Sequence, residues 1–301
     1  ERNSNRSAME RIGQLEDPIL RDCLLGDGDL AGYREQTVLY MGYAYRGLER
    51  FVDVVAVLET GRERRIDVVV PNAATVQDIW QHTFDDETLA RLLECGVGVV
   101  EVIGNASDPG PEASPCRLEH TLGPGKRLRL ITRHPLSNHD YRQLLLASEP
   151  TTMVSGDQSF TDAVSANKAI AIMEPVYSQT YLIDGFLALA EEADMGLAET
   201  LRFGTQGLWD RRGYENMQAF VRSGALVSAA RRVNAAIQSE HNANSTLVAA
   251  VKRRLLTACS AQLADAQREL FEVAWRGFDS RDGLSLPAQQ WSRVARLAVD
   301  R

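Results

Sequence analysis

An apolar strand end, Met153-Val154, runs directly into Ser155-Gly156-Asp157-Gln158-Ser159, after which Phe160, Ala163 and Val164 recur at helical spacing. A strand that passes through a glycine turn into a helix presents unpaired backbone N–H groups and the positive end of the helix dipole. That is the chemistry that holds a phosphate. Gly156 lets the backbone come close to such a ligand, and Ser155 and Ser159 add hydroxyl donors. The same residues also fit a plain helix start, with Ser159 as the cap and Asp162 three residues on, and spacing alone leaves both readings open.

Further along, Glu174 ends the apolar run 169–173, at the same sheet edge as the turn, and Pro175 fixes the direction in which the chain leaves. A carboxylate there is read as a ligand contact, with Tyr177 and Gln179 following it as candidates to line the cleft. The five histidines, at 82, 120, 134, 139 and 241, form no ligand cluster, and no Asp-x-Asp pair is bracketed by apolar strands. No metal and no cofactor are therefore expected.

The elements that must position these groups alternate short apolar runs with amphipathic stretches of helix length from residue 38 to about 193, the pattern of a parallel sheet covered by crossover helices. Strands are expected at 38–43, 66–70, 97–103, 128–132, 151–154 and 169–173. Helices are expected between them at 46–60, 74–82, 86–95, 137–147 and 159–166. The stretch 46–60 puts Leu48, Phe51, Val52 and Val55 on one face, and Gly61 ends it. Residues 104–114, rich in glycine and proline, read as a surface loop. In an open sheet of this type ligands bind beyond the carboxyl ends of the strands, where the Gly156 turn would sit.

Beyond residue 179 the periodicity is helical throughout, with candidate helices at 181–193, 199–208, 214–221, 225–240 and 245–275, and Trp209 and Trp275 as anchors. Before residue 35 a helix at 8–23 and the turn Gly26-Asp27-Gly28-Asp29 are expected. Three regions follow: 1–34 as helix and linker, 35–195 as a Rossmann-like domain, and 196–301 as an α-helical region. The fold class is α/β, with a doubly wound Rossmann-like parallel sheet.

Of the 301 residues 44% are hydrophobic and 25% charged, as in ordinary globular chains. A net charge of −8 argues against nucleic acid as the main partner, because neutralising phosphates along a duplex needs a basic excess. No apolar run approaches the roughly 20 residues of a membrane span. The cysteines, 23, 95, 116 and 259, are scattered without a C-x-x-C pair and read as free thiols of a reducing compartment, so a cytoplasmic location is expected.

The order of motifs resembles the C-terminal domain of bacterial protein-arginine rhamnosyltransferases, which are glycosyltransferases with two facing Rossmann domains (the GT-B architecture). In that family a strand ending in an aromatic opens the domain. A proline, a short gap, Asp-Tyr and two leucines precede a later strand, and an Arg-Gly-Glu-Asp-Ser turn follows. Here the corresponding stretches are Val38-Leu39-Tyr40-Met41-Gly42-Tyr43, then Pro135-Leu136-Ser137-Asn138-His139-Asp140-Tyr141-Arg142-Gln143-Leu144-Leu145, then Ser155-Gly156-Asp157-Gln158-Ser159. Asn167-Lys168-Ala169-Ile170 and Pro175-Val176-Tyr177-Ser178-Gln179 continue the order.

The resemblance implies Tyr43 and Asn138 near a nucleobase, Ser159 on a diphosphate and Asp157 as the catalytic acidic residue. Gln158 stands where the family has a second acid, and Asn138 where it has glutamine. Residues 1–37 are too few for a second Rossmann domain, so either the acceptor half is expected upstream, or a partner supplies it, or the activity has been lost. The activity implied is transfer of a sugar from a nucleotide sugar to a protein or glycan acceptor. The alternative is a non-catalytic Rossmann-like binding or scaffold module whose helical tail holds a partner.

Overall fold

The computed structural model describes residues 10–240, apart from 27, 44–46, 72, 105–114, 175–179 and 207–210. The chain divides into two units, Glu1–Glu240 and His241–Arg301, and every described residue belongs to the first. The expected helix at 245–275 and both anchoring tryptophans, Trp209 and Trp275, lie outside the described residues.

Seven strands form one sheet: β1 (Thr37–Gly42), β2 (Arg65–Val70), β3 (Val97–Gly104), β4 (Cys116–Thr121), β5 (Lys126–Thr132), β6 (Thr151–Ser155) and β7 (Ala169–Glu174), in the order β4-β3-β5-β2-β1-β6-β7. All neighbours are parallel except β3 and β4. Strands of a parallel sheet are covered on both faces, which is why β1 is buried at every position and reads as a continuous apolar run. Alternate residues separate into two clusters. Val38, Tyr40, Val68, Val102 and Leu130 belong to one, and Leu39, Met41, Val69, Ile103 and Ile131 to the other.

The first face is covered by α3 (Leu48–Leu58), α4 (Val76–Thr83) and α5 (Asp86–Glu94). The second is covered by the amino-terminal segment with α1 (Pro18–Leu25) and α2 (Leu30–Gln36), and by α6 (Asn138–Ala147). With helices on both faces the sheet is doubly wound, as the alternation of motifs predicts. After β6 come α7 (Gly156–Ser165) and, following β7, α8 (Thr180–Ala193), α9 (Met195–Gln206), α10 (Arg211–Arg222) and α11 (Ala225–Glu240). Helix α9 packs on β7, α10 on α9 and α3, and α11 on β7 and α7. Asn234 Nδ2 donates to Lys168 O at 2.8 Å and Gln238 Nε2 to Val164 O at 2.7 Å, which ties α11 to the turn before β7.

Three elements differ from the sequence expectation. The helix expected over 8–23 is interrupted, because Pro18 cannot sit in a helix interior and instead opens α1 behind Asp17, whose carboxylate caps Ile19 and Leu20 N–H. The backbone N–H groups of Glu16 and Asp17 are taken by the two oxygens of the buried Asp140, at 2.8 and 3.0 Å. Helix α2 forms in a stretch without an apolar stripe, nucleated by the Asp29 cap on Gly32 N–H at 2.7 Å. Strand β4 is exposed along almost its whole length and offers only Leu118 to the core, so it carries no hydrophobic signal. It is held by its ladder to β3 and by Arg117 and Arg127 on the buried Glu101, at 3.0 and 3.2 Å.

One buried ion pair anchors the amino-terminal segment to the sheet. Arg129 on β5 donates to both oxygens of Asp67 on β2 at 2.8 and 2.5 Å, and its remaining N–H groups donate to the carbonyls of Cys23 and Leu24 at 2.8 and 3.0 Å. The guanidinium thus satisfies the open carbonyl end of α1 as well as the carboxylate. Tyr33 from α2 donates to the same carboxylate at 2.9 Å. Removing one partner of such a pair leaves the other charge buried, which costs about 3–5 kcal/mol. Arg129→Met is expected to lose about 3 kcal/mol in urea unfolding, since Arg65 still stands 3.2 Å from Asp67. An unchanged midpoint would remove the anchor from the argument.

Candidate functional site

The sheet order reverses between β1 and β6, because the chain moves from β1 to β2 on one side and from β6 to β7 on the other. At this switch point two crossovers diverge and leave a crevice at the carboxyl ends of the strands. The two strands pair only through Met41 with Thr152 and Gly42 with Met153, extended by a hydrogen bond from Tyr43 N–H to Met153 O at 2.8 Å. Gly42 lets Phe51 of α3 close over the end of β1, since a Cβ there would stand 2.9 Å from the Phe51 ring.

The helices that leave these two strands are α3 after β1 and α7 after β6, and each starts without a side-chain cap. Gly47 is the N-cap of α3 in the left-handed region at φ 73°, and Ser155, the N-cap of α7, makes no side-chain cap bond. By contrast α1, α2, α4, α5 and α6 are capped by Asp17, Asp29, Thr75, Asp85 and Ser137. The uncapped starts of α3 and α7 both lie at the switch point. A helix start without a side-chain cap is where the positive end of a helix dipole can meet an anion.

The predicted turn of five residues is a single residue. Ser155 is the last residue of β6 and Gly156 already opens α7, with φ at 83° making the reversal in one step. Ser159 lies one helical turn in and does not cap the helix. Its hydroxyl donates to Ser155 O at 2.5 Å and accepts from Ser155 N–H at 3.1 Å, clamping the strand end to the helix. The exposed Gln158 reaches Asp162 Oδ1 at 3.1 Å. The backbones of Asp157 and Glu174 sit in the first turn of α7 and at the end of β7, where Glu174 registers with Ser155, while their side chains are outside the described set. Tyr177 and Gln179 lie outside the described residues.

Tyr43 continues β1 into the crevice and meets the Tyr141 ring of α6 edge-on, with centroids 6.1 Å apart at 85°. Burial, and then Asp162 and Tyr43, push the Tyr141 hydroxyl above its ordinary range, so it stays a neutral donor at physiological pH. Asn138 is exposed one turn earlier, at the first position of α6 behind the Ser137 cap. Tyr43, Asn138, Ser155, Gly156, Gln158 and Ser159 thus come to one edge of the sheet. Lys168 lies at the opposite edge, where its ammonium donates to Ser148 O, Ser148 Oγ and Glu149 O, and burial lowers its pKa to about 8.

Two residues at the crevice escape the sequence reading. Tyr141 carries a signal in hindsight, since it lies three positions after Asn138 and so on the same helix face. Arg50 sits in the first turn of α3, 3.4 Å from Glu49, with its guanidinium 4.0 Å from where a Cβ on Gly47 would stand. A cation at a helix N-terminus opposes the dipole, and that local conflict was the available signal. A cleft of about 350 Å³ at the amino-terminal edge is lined by Thr37, Arg65 and Arg129 among others, but Arg129 is committed there to Asp67 and to α1 carbonyls.

No family model and no curated protein matches the chain. Among solved structures the chain is similar to "Structural basis for EarP-mediated arginine glycosylation of translation elongation factor EF-P", at 16% identity over 82% of this chain and 70% of that one, with a TM-score of 0.45. The doubly wound α/β class rests on the strand order and the two covered faces described above. No described helix is long and apolar enough to cross a membrane.

The one-residue reversal at Gly156 is testable. Gly156→Ala forces a side chain into the left-handed region and is expected to cost about 1–2 kcal/mol, read as a lowered Tm. A Tm equal to wild type would mean that this turn has another shape.

Proposed function

We propose that the switch crevice binds the diphosphate of a nucleotide sugar and that the chain is the donor-binding half of a metal-independent glycosyltransferase. The observation that carries this reading is the pairing of two uncapped helix N-termini, those of α3 and α7, at the point where the strand order reverses. Two sets of first-turn amides suit a diphosphate better than a single anion. Arg50, paired with Glu49, places its guanidinium beside the first of them.

In this reading Tyr43, braced edge-on by Tyr141, stacks on the nucleobase, and Asn138 reads its edge. Gly156, Gln158 and Ser159 frame the phosphates, with Ser155. Glu174, Tyr177 and Gln179 meet the ribose or sugar hydroxyls. Transfer requires the leaving diphosphate to be stabilised, which amides and Arg50 supply electrostatically. It also requires the acceptor nucleophile, a protein or glycan group, to lose a proton. Asp157 is the proposed carboxylate for that step, worth roughly 10² to 10⁴ in rate. A cytoplasmic location completes the proposal.

Titration calorimetry with UDP, dTDP and GDP sugars is the test. One of them should bind saturably, and Arg50→Ala should weaken it about tenfold or more, because a charge-assisted contact contributes about 1.5–3 kcal/mol. Absence of saturable binding to every donor would sink the proposal. Binding without release of the nucleoside diphosphate, in the presence of acceptor-bearing extract, would instead favour the non-catalytic binding module.

A further inference from the structure

Strand β4 forms one edge of the sheet, and among the described residues no strand pairs with its outer side. Leu122 N–H donates to Gly98 O at 2.8 Å, one step beyond the registered pair of Val99 with Thr121. Hydrogen-bonded pairs alternate along an antiparallel ladder, so His120, Leu118 and Cys116 turn their backbone groups towards β3, and Arg117, Glu119 and Thr121 turn theirs outward. Such a row of outward N–H and C=O groups is a template for another strand.

The side chains say which strand fits. Leu118, opposite Val102, is half-buried on the face of the first core cluster. Arg117 and Glu119 stand on the other face, opposite Ile103 and Glu101, with their side chains 56% and 47% exposed. Arg117 gives one nitrogen to Glu101 Oε1 at 3.0 Å, and Glu119 gives one oxygen to Arg127. The other Arg117 nitrogens and Glu119 Oε1 have no partner among the described residues. Across this face Asp67, Arg129, Glu101 and Glu119 stand opposite one another on β2, β5, β3 and β4, so the row of charges ends at the edge on an acid. A cation on the next strand would continue it.

We propose that β4 docks antiparallel against β4 of a second copy of this chain, about a two-fold axis at Leu118, so that the two sheets continue as one. In that register Arg117 of each copy faces Glu119 of the other, and these are the residues whose backbone groups point outward. The two Leu118 side chains meet on the opposite face. Centring the axis on Arg117 or on Glu119 instead would set like charges face to face, which is unfavourable. Charges on an edge strand ordinarily keep other strands away. Here two of opposite sign flank the axis symmetrically, so the edge fits its own copy. Pro115, which has no N–H, ends the pairing. The switch point between β1 and β6 lies four strands from this edge, so both crevices stay open and the pairing does not depend on what they bind. A strand pair of this length is smaller than a standard interface, which makes the dimer reversible.

Sedimentation equilibrium of the wild-type chain should show the mean mass rising from one chain towards two as concentration rises through the micromolar range. Arg117→Glu and Glu119→Arg should each weaken self-association about tenfold, because each sets like charges across both pairs. An equimolar mixture of the two variants should restore the dimer, since each then meets its complement. In a Cys116→Ser background, oxidation should cross-link Leu118→Cys to its own copy, because residues at the axis face each other. Thr121→Cys should cross-link far more slowly, as the two copies of residue 121 would stand about 20 Å apart. A wild-type mass that stays at one chain, a mixture no more associated than the variants alone, or equal cross-linking at 118 and 121 would each overturn the proposal.

Discussion

The hydrogen bond from Tyr43 N–H to Met153 O closes the sheet where its strand order reverses, and the geometry of the crevice hangs on it. Strands β1 and β6 share only two registered pairs, so this bond and Thr152 Oγ1 on Met41 O, at 2.7 Å, fix how far apart the two crossovers leave the sheet. Gly42 lets Phe51 close over the strand end, and Phe51 in turn sets α3 with its open N-terminus over the same edge. On the other side the Ser159 hydroxyl clamps α7 to Ser155. Two helix starts are thus aimed from strands whose relative position is decided by a handful of backbone contacts. Isolated amides are cheap for water to satisfy, and it is this convergence on which the proposed diphosphate site rests.

Where the sequence is informative follows from what is buried. β1, β2, β3, β5, β6 and β7 announce themselves as apolar runs because both faces of a parallel sheet are covered, and α3 does so through Phe51, Val52 and Val55. Elements that exist for other reasons are silent. Strand β4 is an exposed edge held by its ladder and by arginines on Glu101, and α2 depends on a single aspartate cap and on what its Tyr33 finds beneath it. At the site, the chemistry of residues 155–159 was legible as strand, glycine and helix. Whether Ser159 capped or clamped was not, because the answer depends on Gly156 completing the turn alone. Tyr141 and Arg50 enter only when helices α6 and α3 are placed around the crevice.

The molecule buries carboxylates in two different ways. Asp67 has both oxygens filled by Arg129, with Tyr33 added, and it locks the amino-terminal segment to β2 and β5. Asp140 is equally satisfied, by two backbone N–H groups of the segment 16–17. Carboxylates held in this way specify one arrangement, because any slip would leave them unpaired. Asp53 has half of that provision, and an incomplete set of partners is what lets a proton compete with the protein for the same oxygen.

That difference maps onto the architecture. The satisfied carboxylates lie under the amino-terminal cover of the sheet, where α1, α2 and α6 must stay fixed for Tyr141 to meet Tyr43. The unsatisfied one lies between α3 and the helices that follow β7, on the very helix whose N-terminus opens on the crevice. That helix therefore carries Asp53 buried against the core and, nearer its start, Arg50 and Gly47 beside the switch point.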